Sequence, residues 1–171
     1  KAVVEKVILL AETLPYDFSI NISAEDITDT KTRSLILEAI RSRKKTGGKV
    51  IFEITESENI EDYEDAAAFI KEIKENGCQV AIDDFGSGYS NFEYLANLQV
   101  DYIKLDGSLI RNLPHDKNLQ IITRTIVDFA KEMGIKTVAE FIHTKEVFEA
   151  ARDLGIDYSQ GYYFGEPMAI V

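Results

Sequence analysis

Apolar and polar positions in this chain change period again and again. From residue 15 onward, short β-branched or apolar runs alternate with stretches of helical spacing, with no low-complexity segments or long linkers. Such alternation predicts parallel strands joined by crossover helices. The predicted strands are Phe18 to Ile22, Val50 to Ile54, Gln79 to Asp83, Tyr102 to Leu105, Thr137 to Glu140 and a last short one near Tyr162 to Phe164. The clearest helix runs from about Lys117 to Met133, with Leu119, Ile122, Ile126, Phe129, Ala130 and Met133 on one face. Gly77, Gly134 and Gly155 each follow a helical stretch, where a left-handed C-cap is wanted. Lys1 to Glu5 has an amphipathic helical pattern with no capping residue ahead of it, so sequence is expected upstream.

Strand and helix alternation fits either a doubly wound sheet or a (β/α)8 barrel, and a full barrel usually takes about 250 residues. Polar residues at the strand ends separate the two. Asn21, Glu53, Asp83, Lys104 and Glu140 each close an apolar run. In a closed parallel barrel such ends meet on one rim, whereas an open sheet spreads them along a line with only its central crevice available. The expected fold is therefore α/β, a TIM-like (β/α)8 barrel incomplete at its N-terminus, with residues 1–171 forming a single domain.

Composition narrows the chemistry. A formal charge of -11 and a pI near 4.7 argue against DNA or RNA as partners, because phosphate backbones are held by Lys and Arg clusters. An anionic phosphate ester could still bind if carboxylate-held divalent metal supplied local positive charge. The single cysteine, Cys78, cannot form an internal disulfide and fits a buried thiol in a reducing compartment. No stretch is long and apolar enough to span a bilayer, so a cytoplasmic domain without direct membrane contact is expected.

Glu53, Glu56, Asp83, Asp84 and Glu140 are carboxylates at or just past predicted strand ends, and Asn21 adds a neutral oxygen. Hard oxygen donors suit Mg²⁺ or Mn²⁺; His115 and His143 lie outside the strand runs, which argues against zinc. Two neighbouring carboxylates such as Asp83 and Asp84 can serve two ions about 4 Å apart. Taken singly, each acid could be a helix cap or a solvated loop residue; five together argue for a site. Lys104 inside a barrel would need a carboxylate or phosphate partner and could position a water or stabilise a phosphorane-like transition state. The alternative is a lysine turned outward with its stem packed under a helix. Gly86, Ser87 and Gly88 give a glycine-rich loop after a strand, a weak signal alone that gains weight from the adjoining acid pair.

Six blocks, Ser19-Ile20-Asn21-Ile22-Ser23, Phe52-Glu53-Ile54-Thr55-Glu56-Ser57, Asp83-Asp84-Phe85-Gly86-Ser87-Gly88-Tyr89-Ser90, Tyr102-Ile103-Lys104-Leu105-Asp106, Val138-Ala139-Glu140 and Gln160-Gly161-Tyr162, resemble in order and spacing the signature blocks of EAL-domain cyclic-di-GMP phosphodiesterases. The resemblance implies hydrolysis of cyclic di-GMP to linear pGpG with two Mg²⁺ or Mn²⁺ per site. By it, Asn21, Glu53 and Asp83 would be metal ligands, with Asp84 serving the second metal and Asp83 able to bridge the two. Lys104 would contact the attacking water, and Glu140 would be general base or second-metal ligand. Gln160 would lie beside substrate and metal water, and Glu56 would anchor the loop from Asp84 to Asn91. A homodimer and an upstream sensory or GGDEF-type domain, itself able to reach a membrane, are implied as partners.

Two departures from the family pattern stand out. The Glu-Ala-Leu segment, whose glutamate is a metal ligand in the family, is expected before residue 1, so these 171 residues alone are expected to turn over weakly or not at all. Where the family usually reads Glu-Gly-Val-Glu-Thr, this chain has Glu140-Phe141-Ile142-His143-Thr144. A catalytically degenerate domain acting as a cyclic-di-GMP receptor or protein-interaction module is the alternative; retained Lys104 and Glu140 favour the enzyme.

Overall fold

The computed structural model describes residues 2–43, 47–55, 63–88 and 92–169. Its contacts divide the chain into two compact units, Lys1–Ile82 with Asn91–Asp101, and Asp83–Ser90 with Tyr102–Val171.

The first unit holds α1 (Ala2–Thr13), β1 (Phe18–Ile22), α2 (Ala24–Thr28), α3 (Thr30–Arg41), β2 (Val50–Thr55) and α4 (Tyr63–Glu75). The first residues of β3 (Gln79–Phe85) and α5 (Phe92–Leu98) complete it. Its strands neighbour one another in the order β1-β2-β3. β2 shows why: Val50, Phe52 and Ile54 are fully buried, while Ile51, Glu53 and Thr55 are only partly covered, the period of two that a strand with one helix-covered face requires. β1 pairs with β2 in parallel, Phe18 opposite Val50 and Asn21 opposite Glu53. Phe69, Ile70 and Ile73 of α4 and Leu95 and Leu98 of α5 fill the core beside Val80 and Ile82. Local chemistry sets the helix starts. Ser23 and Asp26 form a reciprocal capping box at α2, and the Asp29 carboxylate accepts from the Thr32 N–H at 2.7 Å at α3.

In the second unit, the end of β3 is followed by β4 (Tyr102–Leu105), α6 (Gly107–Ile110), α7 (Lys117–Glu132), β5 (Lys136–Ala139), α8 (Lys145–Asp153) and β6 (Tyr158–Ser159). The order is β3-β4-β5-β6, with parallel register Lys104 opposite Val138, Leu105 opposite Ala139 and Ala139 opposite Ser159. Ile103, Leu105, Ile110, Leu113, Ala130 and Ala139 form its core. Asp157 fixes the β5–β6 junction by accepting from the Thr137 N–H at 2.9 Å and hydroxyl at 3.0 Å while pairing with Lys136 at 2.7 Å.

Parallel strands alternating with helices are as the sequence pattern predicts, and Gly77, Gly134 and Gly155 do adopt positive φ at helix ends. Several boundaries differ. The last strand is Tyr158–Ser159, not Tyr162 to Phe164. Past Ser159 the chain turns, Phe164 N–H donating to Gly161 O, and Tyr163 and Phe164 pack on the Phe148 ring of α8. Aromatic β-propensity there reflects side-chain packing in a turn. β5 stops at Ala139, leaving Glu140 just beyond it, and β3 continues to Phe85, so Asp83 and Asp84 lie inside the strand. In α7 the buried residues are Thr123, Ile126, Val127 and Ala130, whereas Ile122 and Met133 are exposed. Thr123 occupies the true apolar stripe with a polar side chain, which shifted the predicted face. Among the described residues no helix is long and apolar enough to cross a membrane.

Candidate active site

Three strand ends of the second unit build the site. Successive side chains of an extended strand point to opposite faces, which would send Asp83 and Asp84 apart. Asp84 instead has φ 55°, a left-handed conformation that Asp tolerates better than most residues. The break in alternation lets Asp83, Asp84 and Glu140 each offer an oxygen within 4.8 Å of the others'. Lys104, on β4, lies among these acids. Its Nζ is 2.7 Å from Asp83 Oδ1 and 3.1 Å from Glu140 Oε1, and both Lys104 and Glu140 are buried. The Glu140 backbone is held by its own N–H donating to Leu105 O at 3.2 Å.

Burial pushes the Glu140 carboxyl up to about 7; the Lys104 charge works against the rise and the Asp83 and Asp84 charges add to it. Asp84 is also raised, by burial first and then by the charges of Asp83 and Asp106. A raised acid stabilises the fold at low pH and loses that contribution as pH climbs through its folded value. Glu140 therefore favours the metal-free fold below its ordinary 4.5 and ceases to do so above about 7. Asp106 and Asp157 act elsewhere on the scale. Burial raises each, but hydrogen bonds from Ser108, and from Lys136 and Thr137, hold them below their ordinary 3.8, so their stabilisation is lost only in stronger acid. Between pH 5 and 8 the metal-free protein is expected to become less stable. Mg²⁺ or Mn²⁺ should raise the melting temperature more at pH 8 than at pH 5, in thermal melts with and without metal. Equal shifts would show that these acids do not bind the ion.

The donor set fits a divalent cation: three hard carboxylate oxygens in close reach, two of them on acids whose ionisation is disfavoured without added positive charge. Asn21 and Glu53 are register partners on β1 and β2, which places their side chains on the same face of the first unit's sheet. Gln160 donates its N–H to Ala139 O at 2.8 Å and accepts from Ile142 N–H at 3.0 Å. It lines, with Glu140, Phe141, His143, Tyr162 and Arg111, a cleft of about 680 Å³. Gly86 has φ 95° and sits against Leu109, Ser87 N–H donates to Asp84 O at 3.2 Å, and Gly88 stands in open space. Glu56 and residues 89–91 lie outside the described residues.

Sequence reasoning gave no role to Asp106 or Arg111. Asp106 follows the Lys104-Leu105 strand end, the same signal that singled out the other acids, and its charge bears on Asp84. Arg111 carries no comparable mark, because it follows the short α6 rather than a strand.

Residues 1–167 match a family model described as EAL domain. The chain belongs to the EAL domain family. EAL domains are α/β TIM-like barrels, the class that the strand-end pattern predicts. Among solved structures, PaMucR phosphodiesterase in its c-di-GMP complex superposes with a TM-score of 0.86 at 27% identity, covering 98% of this chain and 75% of that one. A manganese and cyclic-di-GMP complex of Klebsiella pneumoniae BlrP1 gives a TM-score of 0.77 at 27% identity over 92% of this chain and 41% of BlrP1. Manganese and cyclic di-GMP thus occur together in a solved structure that this chain resembles. The cyclic di-GMP phosphodiesterase PdeF of Escherichia coli is 34% identical over 154 residues, 90% of this chain and 21% of PdeF. The chain therefore spans about a fifth of that curated relative.

Proposed function

We propose that this EAL domain hydrolyses one phosphodiester of cyclic di-GMP, giving linear pGpG. The observation that carries the reading is the buried Lys104 set between Asp83 and Glu140 beside Asp84, a concentration of charge that a packing role does not explain. Asp83 and Asp84 would hold Mg²⁺ or Mn²⁺, with Glu140 either joining them or acting as base; Asn21 and Glu53 are the further ligands that the family resemblance implies for a pair of ions. Bound metal supplies positive charge to the phosphate oxygens and makes water a better nucleophile at neutral pH. Lys104 donates toward the attacking water or the negative charge that develops on the phosphoryl oxygens. Glu140, whose carboxyl is pushed up to about 7, takes the proton of that water as its oxygen bonds to phosphorus, while the opposite phosphorus–oxygen bond breaks and the departing ribose oxygen takes a proton from solvent. Gln160 orients the substrate from the cleft wall. In the same reading residues 1–171 are one cytoplasmic domain that pairs as a homodimer and answers to an upstream sensory or GGDEF-type domain.

The test is incubation of the full-length protein with cyclic di-GMP and Mg²⁺ or Mn²⁺, with products separated by chromatography. Accumulation of pGpG that stops on chelation supports the reading. Tight binding without pGpG release overturns it in favour of a receptor.

A further inference from the structure

We infer that Phe141, seated over Gly107 and under Arg111, is a base-stacking wall for the substrate and so a specificity-determining residue. The inference rests on the reading of the site as one for a purine dinucleotide. Phe141 has φ 55°, a conformation unfavourable for a bulky L-residue and free to glycine. Glycine would hold this backbone at less conformational cost, so the ring is kept against a penalty. It is nonetheless accommodated with care. A Cβ on Gly107 would come within 2.6 Å of the Phe141 ring, closer than real atoms pack, so the ring has its place only because residue 107 is glycine. The Arg111 guanidinium lies 4.4 Å from the ring centroid, in cation–π range. With those contacts made, the ring is still 45% exposed, and it lines the cleft next to Glu140 and Gln160.

An exposed aromatic ring backed by a cation, one residue from a candidate catalytic carboxylate, is suited to stacking on a flat base. Arg111 adds a positive charge on the same wall in an otherwise acidic protein, which favours an anionic nucleotide over a neutral aromatic ligand. Stacking of this kind strengthens substrate binding without preference for the transition state, so it acts on KM rather than kcat.

Steady-state kinetics on the full-length protein with cyclic di-GMP test this. Phe141→Gly is expected to raise KM about tenfold with little change in kcat and no loss of thermal stability, since glycine is at ease with this backbone. Phe141→Trp should restore KM. Gly107→Ala, whose added carbon would meet both the Phe141 ring at 2.6 Å and Arg111 Nε at 2.8 Å, should displace the stacked pair and raise KM at least as much as Phe141→Gly. A wild-type protein that cleaves cyclic di-GMP while Phe141→Gly keeps its KM, or loses kcat alone, overturns the inference and leaves the function standing. A wild-type protein that neither binds nor cleaves cyclic di-GMP overturns the functional reading, and the inference with it.

Discussion

Glu140→Gln should lower kcat for cyclic-di-GMP hydrolysis by about 10²- to 10⁴-fold, the range for loss of a positioned general base. The amide keeps the size and the backbone hydrogen bond of Glu140 but can neither ionise nor take a proton. KM should change much less, since the group acts on the water. Stability should move the opposite way. The carboxylate at this position is disfavoured by burial and by Asp83 and Asp84, so an uncharged amide removes a burden that the metal-free wild type carries above about pH 7. At pH 8 in chelator the variant should melt no lower than wild type while being nearly inactive. Steady-state kinetics with melts in the same buffer separate the two effects. A drop in kcat under about fivefold would leave Glu140 without the role of base.

How much of this was legible in the chain can be seen strand by strand. β1 and β2 were readable because a period of two is set by the pleat, which no distant contact alters, and β4 as a short apolar run whose last three residues are all buried. The cluster of Asp83, Asp84 and Glu140 was readable because a charge after an apolar run conflicts with simple burial, the kind of conflict that candidate sites carry. What escaped was set by tertiary contacts. The end of the sheet at Tyr158–Ser159 depends on the Asp157 carboxylate meeting Thr137, twenty residues away. The buried stripe of α7 includes Thr123, whose polar side chain hides it from a hydrophobic count. The φ of 55° at Asp84 and at Phe141 has no signature in residue type. Only its result, acids of one strand converging with one beyond another, shows why Asp83-Asp84 and Glu140 matter. Phe141 is a partial exception: the family resemblance marked it as standing where glycine is usual, and the backbone explains that usage.

Lys104→Met should have the second large effect, and on two observables at once. The lysine Nζ bridges Asp83 and Glu140 at 2.7 and 3.1 Å with a side chain only 9% exposed. Methionine matches its length and packs its stem but leaves those acids facing each other and Asp84 without the cation. Removing one partner of a buried ion pair costs about 3–5 kcal/mol, so at pH 8 without metal the variant should be strongly destabilised. The defect should shrink at pH 5, where protonation relieves the repulsion, and on adding Mg²⁺ or Mn²⁺, which replaces the lost charge. Glu140 should titrate above its wild-type value of about 7, because Lys104 is the group that opposes its rise; carboxyl NMR resonances followed against pH would report this. With metal restored, kcat should remain about 10²- to 10³-fold low, as for loss of one preorganised donor at developing charge. If metal restored stability and full activity together, Lys104 would be a spacer between acids rather than a participant in the chemistry.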